Sequence, residues 1–168
     1  MEPPRLEGGR GSLVSGDPEG GCLRVLYFRR ETDRTLVGRA WFGPGATGPP
    51  GHAHGGSIAA VLDEAMGAAA WMAGHPAVAV RLVTDFRRML PIGTDAWLEA
   101  RIERVEGRKV WTRGELRDGE GGLFAEAEGL FVRLDPERFG NLLERVAAEF
   151  DVRAEELFEP GTGWRRRS

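Results

Sequence analysis

The sequence predicts an α+β domain: an antiparallel sheet wrapped around one long central helix, with a second helix added towards the C-terminal end. Three observations lead there. One long helical pattern, Gly55 to Met72, stands in the middle of the chain, with two strand-like segments before it and four after. An antiparallel sheet with its helix on one face is the layered solution for that order. Finally, 168 residues suffice for one domain with a real core and not for two, so neither a metal nor a disulfide is needed to hold it.

The elements follow in order. Glycine is in excess, 25 of 168, and 13 of these with six of the ten prolines fall before residue 57. Residues 1–21 are accordingly expected to be a disordered arm. Cys22–Phe28 and Leu36–Phe42 read as strands, joined by the polar turn Arg29–Arg34. A Gly/Pro loop, Gly43–Gly51, leads into the helix. After Pro76 come Ala77–Arg87, Asp95–Val105, Lys109–Arg117 and Leu123–Leu134, punctuated by Pro91–Gly93, Gly107 and Gly119–Gly122. Asp135-Pro136 is a helix start, and Phe139, Leu142, Leu143, Val146 and Phe150 recur at helical spacing behind it. Residues 22–134 are thus the expected body and 135–168 a helical extension ending in a solvated tail, Arg165–Arg167.

Charge and composition exclude several classes. The net charge is −3, from 23 basic and 26 acidic side chains, with a pI near 5.7, and nucleic-acid binders are usually basic. The single cysteine, Cys22, cannot pair internally or build a cysteine-based zinc site. It fits a reducing cytoplasm. No apolar stretch at the start marks a signal peptide, and Ser57–Gly74 is broken by Asp63 and Glu64, so no membrane span is expected. His52 and His54 lack a second ligand cluster, and His75 stands apart. No metal and no cofactor are expected.

The central helix carries the chemistry. Ile58, Val61, Leu62, Ala65, Met66, Ala69 and Met72 fall on one apolar face at 100° per residue. Asp63 points elsewhere, among Ala59, Ala60, Gly67 and Ala70. Either that small-residue strip lets another element approach, or it is the floor of a cleft holding one carboxylate as base or water-orienting group. Glu64, 100° further round, is expected at the rim. His54-Gly55-Gly56 sets two backbone N–H groups without side chains at a helix N-terminus, where donors are unpaired. That is the makings of an oxyanion hole. Gly55 and Asp63 lie eight residues apart, about 12 Å along the helix, too far to meet at one carbonyl. A shared substrate therefore requires the aspartate of a second copy across a two-fold axis.

The run Gly48-Pro49-Pro50-Gly51-His52-Ala53-His54-Gly55-Gly56-Ser57-Ile58-Ala59-Ala60-Val61-Leu62-Asp63-Glu64-Ala65 resembles the hotdog-fold acyl-CoA thioesterases, in the PaaI-like and thioesterase-superfamily-member-4-like branch. The resemblance continues through Asp85–Gly93, Glu106–Lys109 and Ala125–Phe131. It implies a hotdog sheet paired into a homodimer or homotetramer. It also implies thioester hydrolysis, with the Gly55 N–H on the carbonyl, Asp63 of the neighbouring subunit on the water, and His54 shaping the turn beside the substrate. Two positions depart from the pattern. A side-chain amide expected near Gly48 and a hydroxyl near Ala79 are both missing, which bears on rate and substrate preference more than on reaction class. Arg87, Arg88, Arg108 and Lys109 are the candidate cations for coenzyme A phosphates, although strand alternation turns Arg87 and Arg88 opposite ways. The expected function is acyl-CoA hydrolysis. A non-catalytic acyl-CoA or lipid-binding module is the alternative, and a purely structural oligomer a third reading. Met66, Trp71 and the Gly43–Gly51 loop are candidates to limit the acyl group.

Overall fold

A computed structural model describes residues 5–6, 12–17 and 19–149. Seven strands form one antiparallel sheet: β1 (Arg5–Leu6), β2 (Leu23–Arg29), β3 (Leu36–Phe42), β4 (Ala77–Phe86), β5 (Asp95–Glu106), β6 (Lys109–Arg117) and β7 (Leu123–Arg133). Their order across the sheet is β1-β2-β3-β5-β6-β7-β4. Helix α1 (Gly55–Met72) lies against that sheet, and α2 (Pro136–Glu149) follows β7. The α+β architecture and the hotdog arrangement implied by the resemblance are both present.

Helix α1 starts and stops for local reasons. His54 is its N-cap in an extended conformation, and its ring Nδ1 accepts from the Gly56 N–H. At the far end Gly74 takes a left-handed φ of 82°. The His75 N–H reaches the Ala70 carbonyl and the Gly74 N–H that of Trp71, which closes the last turn as a Schellman cap. Between the caps, Ile58, Val61, Leu62, Ala65, Met66, Ala69 and Met72 are buried as expected, and Ala70 with them. Fully burying a Leu or Met side chain is worth about 1.5–3 kcal/mol each, so this face holds the helix in place.

The sheet yields to the helix at two glycines. A Cβ at Gly114 would stand 3.2 Å from Leu62 Cδ2 and from Met66 Cγ, and one at Gly129 would stand 3.2 Å from Met66 Cε. Side chains there would lift α1 off β6 and β7.

Strand boundaries fall within a residue of expectation, since turn signals bound every strand. Two features are new. Within the segment expected as an arm, Arg5–Leu6 pairs with β2 and Val14 enters the core at 4% exposure. Helix α2 begins as expected, with Asp135 accepting from the Glu137 N–H at 3.0 Å, but its backbone is non-helical at Phe139. The side chains of Leu143 and Val146, together with Phe150 and Arg165–Arg167, lie outside the described residues.

Candidate active site

The loop before α1 is held from several directions. The His54 N–H donates to the Ala46 carbonyl at 2.7 Å, that of Ala53 to Leu90 at 2.8 Å and that of Ile92 to Gly51 at 2.9 Å. The helix start is thus fastened to the segment that follows β4. The Phe86 ring also lies there, since a Cβ on Gly55 would sit 3.2 Å from Phe86 Cζ.

At this start the two expected donors differ. The Gly56 N–H is already taken, donating to His54 Nδ1 at 2.8 Å. In this structure Gly56, expected as a substrate donor, has its N–H engaged in the cap. Because Nδ1 accepts, the His54 ring carries its proton on Nε2. The Gly55 N–H, at the first helical position, makes no hydrogen bond among the described residues. It is an open donor at the positive end of a helix of 18 residues.

Asp63 is half-buried, and its Oδ1 is buried with no hydrogen-bond partner. Burial pushes this carboxyl above the ordinary aspartate range, and the neighbouring Glu64 charge pushes it further. Gly67 does not clear space beside it, because its Cα face meets the Phe131 ring, with a Cβ position 3.3 Å from Cε1. Glu64 is not a free rim residue either. It is half-buried, accepts from Tyr27 Oη at 2.8 Å and accepts from Ser12 Oγ. Nothing in the sequence connected Ser12, Tyr27 and Glu64, because the contact joins residues 52 and 37 positions apart.

The two departures noted in the sequence also look different in space. Gly48 is a close-approach position: a Cβ there would stand 2.7 Å from His54 Cα, so this backbone admits no amide side chain. Ala79 is exposed on β4, beside an irregularity in its pairing with β7.

The candidate phosphate cations fall into two groups. Arg87 and Arg88 follow β4 at the Gly55 end. Arg87 Nη2 lies 2.7 Å from Glu126 Oε1, and Arg88 Nη2 lies 2.5 Å from Asp118 Oδ2 with its guanidinium over the Phe124 ring. Their different partners agree with side chains that diverge. Arg108 donates to the Arg133 carbonyl, and Lys109 is exposed beside it. Ala77 faces Arg133 and Phe86 faces Ala125, so β4 runs from the Arg108–Lys109 end to the Gly55 end. Nine residues of strand separate these ends by about 30 Å. One chain does not bring the two pairs of cations together.

β4 is an edge strand of the sheet, and it exposes Val78, Val80, Val83 and Phe86, the last at 55%. Among the described residues no helix is long and apolar enough to cross a membrane.

Comparison with known proteins gives a consistent picture. Residues 50–125 match the thioesterase superfamily. The chain is 32% identical over 121 residues to acyl-coenzyme A thioesterase THEM4 of Xenopus laevis, covering 71% of this chain and 54% of that protein. It is 34% identical to acyl-coenzyme A thioesterase THEM5 of Mus musculus, covering 71% and 48%. The chain spans about half the length of these curated relatives. Among solved structures, a thioesterase superfamily protein superposes with a TM-score of 0.60 at 33% identity, covering 65% of this chain and 56% of that one. A Bacillus halodurans protein solved with CoA gives 0.57 at 26% identity, covering 65% and 73%.

Proposed function

We propose that this chain, whose residues 50–125 match the thioesterase superfamily, hydrolyses acyl-CoA thioesters to a carboxylic acid and free CoA. In this reaction the Gly55 N–H polarises the thioester carbonyl. Asp63 of the neighbouring copy takes a proton from water as the oxygen attacks the carbonyl carbon. The resulting oxyanion is held by the Gly55 N–H and the helix dipole. As the carbon–sulfur bond breaks, the sulfur leaves as thiolate and recovers the proton from Asp63.

The observation that carries this reading is the buried, unpartnered Asp63 Oδ1 on the helix whose first N–H is open. A carboxylate left without a partner costs stability, and a task in water activation accounts for keeping it. Its raised pKa makes it a better base.

The dimer belongs to the same proposal. Edge strand β4 exposes four large apolar side chains, and an unprotected edge of that kind pairs readily with another strand. A two-fold dimer joined along β4 runs the two edges antiparallel. That carries the partner's Arg108–Lys109 turn towards the Gly55 end, where Arg87 and Arg88 already lie, so cations separated within one chain come to flank one ligand. The names of the acyl-coenzyme A thioesterase relatives and the CoA-bound neighbour support the same substrate class.

The test is thiol release from short, long and aromatic acyl-CoAs by the wild-type chain and by Asp63→Asn. Release by the wild type, reduced by roughly 10²–10⁴-fold in the variant, is expected. The acid limb of kcat should lie above the ordinary aspartate range, because activity requires the ionised carboxylate and its pKa is raised. Saturable acyl-CoA binding without thiol release replaces the hydrolase with a binding module. The missing side chains at Gly48 and Ala79 are what motivate that second reading.

A further inference from the structure

Glu64 has no part in the chemistry just described, yet three distant pieces of chain meet at its carboxylate. Oε1 accepts from Tyr27 Oη at 2.8 Å and Oε2 accepts from Ser12 Oγ. Tyr27 stands on β2 and is 4% exposed. Burial, and then the Glu64 charge, hold its phenol well above the usual range, so it remains a donor at working pH. Ser12 Oγ also accepts from the Val14 N–H at 3.2 Å and the Ser15 N–H at 3.3 Å, which shapes the turn that puts Val14 into the core.

Glu64 is next to Asp63 on the same helix. The end of a side chain lies several ångströms from the helix axis, so a small rotation of α1 swings the Asp63 carboxylate by about 1 Å, and an error of that size can cost about 10²-fold in rate. The apolar face of α1 resists rotation only through soft contacts. A carboxylate held by two donors from other segments resists it directionally.

We propose that Glu64 is a positioning residue for the hydrolytic site: anchored to Tyr27 and Ser12 at once, it sets the rotation of α1, aims Asp63, and couples that aim to docking of residues 12–15. The inference rests on the hydrolase reading above. Of the charged groups near Asp63, Glu64 is the one whose charge acts on it. The groups facing Glu64 from β2 and from the N-terminal segment, Tyr27 and Ser12, are neutral donors.

The experiment measures kcat, KM and the pH profile of kcat for the full chain and four variants, with amide hydrogen exchange on each. Tyr27→Phe and Glu64→Ala are each expected to lower kcat about tenfold or more while KM changes less than about twofold. Glu64→Gln keeps an acceptor and should recover most of that loss. Its acid limb should move to lower pH, because Asp63 loses a like charge, while in Tyr27→Phe the limb should stay in place. Ser12→Ala should speed exchange across residues 12–16. Wild-type kcat in Tyr27→Phe and Glu64→Ala, or losses that vanish once folded protein is counted, would overturn the proposal while leaving the hydrolase intact. An unmoved limb in Glu64→Gln, or unchanged exchange in Ser12→Ala, counts against it equally. Wild-type protein that releases no thiol from any acyl-CoA removes the hydrolase reading, and the positioning role falls with it.

Discussion

Gly55 and Asp63 divide the proposed chemistry between a backbone group and a side chain, so they are tested by different substitutions. Proline at the first helical position removes the N–H without breaking the helix, and the extended conformation of His54 accepts a following proline. Gly55→Pro is expected to lower kcat by roughly 10²–10³-fold with only a small change in melting temperature, read by calorimetry beside turnover, because the exposed Phe86 ring gives way to the new Cβ. An undiminished rate would remove the backbone donor from the mechanism. While their chemical roles belong to the proposal, the places of both residues in the fold were legible in the sequence, because a helix start and a helical period are local properties. Gly56, Gly67 and Glu64 were not, because their roles depend on where other side chains turn. The His54 ring folds back on the Gly56 N–H, Phe131 fills the space at Gly67, and Tyr27 reaches Glu64 from a separate strand. Gly48 shows the converse. Read as a missing side chain, it is in space the residue that lets the loop pass within contact of His54.

Among the elements, β4 shows how far a pattern can be read. Its run of Val, Ala, Leu and Phe identifies a strand, but a strand's neighbours are set by the order of the whole sheet. Placed beside β7 alone, it leaves Val78, Val80 and Val83 exposed in the single chain. The other edge, β1, is only two residues long and offers little to pair with. A lysine on an edge strand opposes strand addition, so Val80→Lys should convert the dimer to a monomer in light scattering. Turnover should fall with it, since each proposed site draws on two copies. Folded monomers with full activity would place both halves of the site in one chain. Helix α1 is the contrasting case, because its boundaries follow from its own caps and no neighbour was needed to predict them.

For the molecule as a whole, a site shared between copies has a statistical signature. Gly55→Pro subunits retain Asp63, and Asp63→Asn subunits retain the Gly55 N–H. Equal mixing and exchange of two inactive variants gives heterodimers in half of the population, each with one of its two sites intact, so about a quarter of wild-type turnover should return. No recovery, with exchange confirmed by native mass spectrometry, would mean that the two groups do not act across an interface. The sheet order and the two ends of β4 could not have been anticipated from composition, since they arise from pairings between residues far apart in the chain. The close seating of α1 at Gly114 and Gly129 bears on the same question. Leu62 and Met66 rest on backbone there, and Phe131 closes the space at Gly67. In the proposed dimer, an acyl tail held at Gly55 would meet this close packing beneath the helix and follow the seam between the two copies. Preference for chain length would then be a ruler cut by the assembly, and a subunit alone would have nothing to measure with.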